Sequence, residues 1–262
     1  MSEIPDYSEI PYLQEILRYL PIDPIDEEDV INYIQNITNL IAVNYKYGQY
    51  QFAYFGIHLL LMTYTYCTAW KISQIEPDRY KDAIVFARSY AGRENDLKIE
   101  DAESIFSYSL IPEKDIAKIF RIIGLDKSQV KRIKDLVCDR DYMVHATGQF
   151  EIVTEEIFDA KVKNVLLAFS GIHKCMQAQI RKWYSEILLS FCAGKYDAYD
   201  DPKDFIVEQM IQNFKLSVNE LLVCNEMSVN TLITQHREYQ EKLKNFKKSM
   251  ALYCEDMDYL SE

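Results

Sequence analysis

Eleven residues, CDRDYMVHATG at positions 138–148, set an arginine five places ahead of a histidine: Arg140 and His145. A histidine titrates near neutral pH and exchanges protons with a reacting group. An arginine stays charged and presents a planar fork of donors to an anion. Together they offer acid–base catalysis with stabilisation of negative charge, and they need no metal for it. Other chemistries lack their residues. The chain has no glycine-rich phosphate loop, no HExxH and no GxSxG, and histidines 58, 145, 173 and 236 share no metal-ligand spacing with cysteines or carboxylates.

The spacing alone carries little. Nine arginines and four histidines in 262 residues give roughly 0.4 such pairs by chance, so the surroundings must supply the weight. The pair closes an amphipathic helix predicted over 127–145, with Val130, Ile133, Val137 and Val144 as its apolar stripe and Gly148 as a stop just beyond. At about 100° per residue, positions 140 and 145 point about 140° apart, so one straight helix does not align them. Either the helix bends or two chains combine. Asp141 and His145 are four apart and share a face, which lets Asp141 orient the imidazole. The net charge of −12 disguises a local reversal. Residues 1–30 carry nine acidic groups against one arginine, whereas 113–140 hold eight basic groups against five acidic ones. Lys131, Arg132 and Lys134 lie on the approach to Arg140, and a solvated helix face is the usual fate of such mixed charge.

At this point the segment resembles the HEPN superfamily of all-helical proteins, whose mark is R-x4-6-H with Asn, Asp or His commonly after the arginine; Arg140-Asp-Tyr-Met-Val-His145 has that form. The resemblance implies a helical bundle that dimerises so that two motifs face each other. It also implies metal-independent RNA cleavage in toxin–antitoxin, abortive-infection or CRISPR-type defence. RNA brings its own nucleophile, the 2'-hydroxyl. On this reading His145 is the acid–base group, Arg140 clamps the phosphate, Asp141 supports, and Lys131, Arg132 and Lys134 meet the RNA. Neither a metal nor a cofactor takes part. The partners implied are RNA, a second copy of the chain and an antitoxin or other regulatory protein. Where nucleotidyltransferase-silenced toxins of this superfamily extend the motif to R-x4-H-x-Y, Thr147 stands in place of the tyrosine, so that route of regulation is not implied. A HEPN-like module that binds RNA or protein without cutting, and an unrelated helical interaction protein, are the alternatives.

The elements that must position the pair are helices. Seven glycines and seven prolines in a chain that is 48% hydrophobic leave too few turns for an all-β fold. The expected class is all-α, a HEPN-like bundle with an additional C-terminal long-helix extension. Its predicted parts are an acidic segment with a short helix over 1–25, the bundle over 26–192, an acidic linker over 193–204 and the extension over 205–262. A helix over 154–191, with Phe158, Val162, Val165, Phe169, Ile172, Met176, Ile180 and Trp183 as an apolar stripe at spacings of three and four, is the expected backbone of the bundle. From Leu232 to Leu260 apolar and aromatic positions alternate spacings of four and three, a heptad-like seam that needs a partner helix.

Between Tyr47 and Trp70 no residue is formally charged, and length alone permits a membrane span. Two glutamines, His58, three threonines and five tyrosines favour a buried central helix. His58 then reads as a core histidine with one hydrogen-bond partner. The N-terminus shows neither a basic n-region nor an apolar h-region. Six scattered cysteines form no CxxC, as expected of reduced thiols in a cytoplasmic protein with no membrane contact.

Overall fold

Every described element is helical apart from one isolated antiparallel bridge between Pro21 and Ser217, so the chain is all-α. The computed structural model describes residues 10–22, 28–84, 104–144, 153–196, 199 and 201–259. Chain contacts divide it into two compact units, Met1–Leu20 with Glu28–Cys175, and Pro21–Glu27 with Met176–Glu262.

The first unit contains α1 (Leu13–Leu17), α2 (Glu28–Lys46), α3 (Tyr50–Ile75), α4 (Pro77–Ile84), a 3-10 turn (Ile105–Leu110), α5 (Glu113–Ile116), a second 3-10 turn (Ile119–Ile123), α6 (Lys127–Val144) and the first part of α7 (Glu155–Cys192). Helix α3 is its axis, packing against α2, α4, α5 and α6. The uncharged stretch of sequence is thus a buried central helix, and four of its hydroxyls are satisfied within it. Thr63, Thr65, Thr68 and Ser73 donate to the carbonyls of Leu59, Met62, Tyr64 and Trp70. Such back-bonding lets a hydroxyl sit in an apolar environment without an orphaned donor. Among the described residues no helix is long and apolar enough to cross a membrane. Helix α2 approaches α3 at Gly56, where a Cβ would overlap the Ile41 side chain.

Helix α7 follows the predicted stripe as far as Ile180, and Trp183, its last predicted member, is half-buried. Phe158, Val162, Val165, Phe169, Ile172, Met176 and Ile180 are all buried, and Tyr184 continues the row. Its N-terminal part carries Phe169, stacked on Tyr64 at 4.7 Å between centroids.

The second unit is more broken than its sequence pattern. Helix α8 (Pro202–Phe205) begins on Asp201, whose side chain accepts from Lys203 N. A π-helix (Ile206–Asn213) follows, then α9 (Val218–Glu226) behind a capping box of Ser217 and Glu220. Short α10 (Asn230–Gln235), a 3-10 turn (Arg237–Tyr239) and α11 (Gln240–Tyr259) complete it. Lys215 adopts φ 56° and His236 leaves the helical region at φ −130°, ψ 68°. The seam from Leu232 is therefore interrupted at His236, and its buried members begin at Leu243, followed by Phe246 and Met250. Phe246 meets the rings of Tyr184, Phe191 and Phe205, which gives the stripe a partner inside its own unit. In the 193–204 stretch, Tyr196 and Tyr199 both pack on Phe205.

Candidate functional site

The local sequence sends Arg140 inward. Gly124, at φ +90°, ends the preceding 3-10 turn in a left-handed conformation that suits glycine. Asp126 then caps α6: its carboxylate accepts from Gln129 N and from the Ser128 hydroxyl, and Gln129 Oε1 accepts from Asp126 N. Ile133, Leu136 and Val137 form the buried face. Arg140 lies three, four and seven residues beyond them, on the same face by helical spacing. Its guanidinium therefore meets α5 and, through Glu113, α3.

There it joins a chain of charged and polar groups. His58 of α3 is 1% exposed, and its Nε2 donates to Glu113 Oε2 at 3.1 Å. Arg140 Nη2 donates to the same oxygen. Arg140 Nη1 lies 3.5 Å from Asp141 Oδ1, and Asp141 Oδ2 pairs with Lys114 Nζ at 2.7 Å. Two nitrogens of this cluster are buried without a hydrogen-bond partner, His58 Nδ1 and Arg140 Nε. Burial pushes the Glu113 carboxyl up, but the His58 hydrogen bond and the Arg140 charge outweigh it and hold the group below the ordinary carboxylate range. Glu113 is accordingly a carboxylate at neutral pH. Its charge is answered from one side by α3 and from the other by α6.

Glu113 also faces a cleft of about 530 Å3, within the ~300–1,000 Å3 typical of small-molecule sites. Leu59, Met62, Thr63 and Tyr66 line it from one face of α3, at spacings of three and four. Tyr33 of α2 and Phe106 bring two more rings, in edge-to-face contact with each other at 5.1 Å. Ser109 stands exposed on the same lining. Glu113 is the one charged residue among those described there. Burial, with the Glu113 charge behind it, raises the hydroxyl pKa of both Tyr66 and Tyr33, so both remain protonated donors at neutral pH.

The residues predicted from sequence are distributed unevenly. Arg140 and Asp141 are together, although the described partners of Asp141 are Lys114 and Arg140. His145 lies outside the described residues, as does Gly148. Lys131 and Arg132 are exposed and line a separate groove of about 370 Å3 with Ser128, Asp135, Asp139 and Asn164. Lys131 is nine residues before Arg140, about 180° around α6. Lys134 is half-buried and belongs to neither lining. Among the described residues no group of three His, Cys, Asp or Glu could hold a metal ion. His58 has the single hydrogen-bond partner expected of a core histidine, but no spacing in the sequence singles out Glu113 as that partner. Their contact spans 55 positions, and Glu113 reaches 27 positions to Arg140, separations at which no spacing rule operates. The one available signal was the pairing of the histidine in the uncharged helix with a carboxylate directly after Pro112.

No protein-family model, curated protein or solved structure matches this chain.

Proposed function

We propose that the protein is a metal-independent endoribonuclease of the HEPN type, acting in the cytoplasm in a defence or toxin system, with Arg140 as phosphate clamp and His145 as the acid–base group. One observation carries the reading: an arginine five residues ahead of a histidine is turned inward and held by two carboxylates, one of which, Glu113, lines an aromatic cleft. A guanidinium fixed in this way is pre-oriented, with less rotamer freedom to lose when an anion competes for its fork. The RNA 2'-hydroxyl attacks its own phosphorus as His145 removes the proton; Arg140 stabilises the added negative charge on the five-coordinate phosphorus; the P–O5' bond then breaks and the leaving 5'-oxygen takes the proton from the imidazolium. The products are a 2',3'-cyclic phosphate and a 5'-hydroxyl. The partners on this reading are RNA, a second copy that brings the two motifs face to face, and a regulatory antitoxin.

A specific observation favours a second reading. The Arg140 fork is already occupied by Glu113 and Asp141, which suits a HEPN-like module that binds RNA or protein without cutting it. Labelled RNA incubated with the protein in EDTA separates the two. A nuclease releases cyclic-phosphate ends, spares DNA, and loses at least 100-fold in rate in both His145→Ala and Arg140→Ala. Absence of cleavage, or cleavage by both variants at the parental rate, overturns the nuclease reading. Sedimentation that finds only monomer at every concentration overturns the face-to-face arrangement.

A further inference from the structure

We propose that the cleft between α2, α3 and the 3-10 turn Ile105–Leu110 binds a single unstacked nucleobase bearing an exocyclic amino group, that is, adenine, guanine or cytosine in preference to uracil. The inference rests on the RNA-directed reading above and deepens it by giving the enzyme a base preference. Its shape argues first. Three aromatic rings, Tyr33, Tyr66 and Phe106, with the thioether of Met62, present flat and polarizable surface, the lining on which nucleobases stack irrespective of sequence.

The charge argues next. Both donors that reach Glu113, from His58 and from Arg140, fall on Oε2, which leaves Oε1 able to accept one more. A cationic ligand gains little there, because Arg140 already answers the carboxylate charge. A neutral planar ligand with an N–H edge gains a charge-assisted hydrogen bond while its faces remain in apolar surroundings. The amino groups of adenine, guanine and cytosine supply that donor. Uracil offers one N–H flanked by two carbonyls, whose lone pairs meet the carboxylate unfavourably. Thr63 and Ser109 line the same cleft, the Thr63 hydroxyl donating to the Leu59 carbonyl.

The full-length protein is titrated with the four 5'-monophosphates by calorimetry. All four share one phosphate, so differences report the base. AMP, GMP or CMP is expected to bind at least 10-fold more tightly than UMP. Ser109→Trp, which fills the cleft from an exposed position, is expected to weaken that binding at least 10-fold with its thermal unfolding unchanged; Phe106→Ala, which also loses the ring contact with Tyr33, is expected to weaken it as well. Glu113→Gln is expected to shrink the gap to UMP. Four nucleotides binding alike, no saturable binding, or Ser109→Trp binding as the parent does overturns the proposal. RNA cleavage by the same proteins separates the two readings. Cutting with an unchanged base distribution in Ser109→Trp removes the base pocket and leaves the nuclease standing. Discrimination among mononucleotides without any cutting removes the nuclease and leaves the pocket.

Discussion

The two sides of α6 carry similar charges to different ends. On one side Arg140 is 20% exposed, and its fork is shared between Glu113 and Asp141, with His58 behind. On the other, Lys131 and Arg132 stand in solvent beside Asp135 and Asp139, and Lys161 reaches Asp139 at 3.4 Å. Water screens the second set and leaves its members nearly independent. The first set is desolvated, so each of its members depends on the others. A basic count along the sequence cannot tell these environments apart; burial does. The basic residues before the motif do not share one direction: Lys131 lies about 180° around α6 from Arg140, and Arg132 about 80°.

The largest effect belongs to Arg140. Its replacement by alanine leaves Glu113 half-buried against His58 with its strongest partner gone. Breaking a fully buried pair costs about 3–5 kcal/mol; with side chains 20–24% exposed, about 1–3 kcal/mol is expected in urea unfolding, beside the loss of RNA cleavage. If stability falls by less than 0.3 kcal/mol, the two faces of α6 do not differ as described. Glu113 comes next, and its sign is fixed. Because its carboxyl titrates lower in the folded chain than its ordinary value of 4.5, its contribution is present above about 4.5 and disappears as pH falls through the lower folded value. Glu113→Gln is therefore less stable than the parent at pH 7, and the difference narrows as pH falls below 4.5 through the lower folded value. Unfolding curves for both proteins across pH 3–7 measure it; a gap that widens in acid contradicts the pairing.

The sequence shows the helices well and the site only in part. Periods of three and four were legible in α7, where every residue from Phe158 to Ile180 on the predicted stripe is buried, because a long helix repeats its signal many times. The interruption at His236 was not legible, since one non-helical residue hardly alters a heptad pattern. Arg140 was legible as a motif member; its inward direction, on the face of Ile133 and Val137, emerged only with the structure. The His58–Glu113–Arg140 arrangement was not, because tertiary packing of α3, α5 and α6 creates it. Four formally unrelated residues of α3, from Leu59 to Tyr66, became one wall of a cleft for the same reason.

A smaller effect tests how closely the Arg140 side depends on packing beneath it. Gly56→Ala places a methyl group against Ile41, which is fully buried. Overpacking of this kind costs about 1–3 kcal/mol, here at the expected low end because one methyl is added. It also shifts α3, which carries His58, against α2, which carries Tyr33. Thermal unfolding should show a lower Tm for Gly56→Ala, and mononucleotide affinity should fall with it. An unchanged Tm would mean that Ile41 yields without cost.

The smallest effect is expected on the exposed face. Lys131→Ala and Arg132→Ala each remove one solvated charge that shares its groove with Asp135 and Asp139. Substitutions of this type change stability by about 0.5 kcal/mol or less. RNA cleavage at near-physiological salt should change less than about 2-fold. The informative measurement is the salt dependence of RNA binding by the catalytically inactive His145→Ala protein, with and without each substitution. A cation in contact with phosphate steepens the logarithmic slope by about one per contact. If Lys131→Ala lowers the slope by that amount, RNA wraps α6 from the Arg140 face to the opposite one and the two sides form one surface. If the slope holds, the basic run is a solvated helix face, and binding belongs to the side where Arg140 and Glu113 meet.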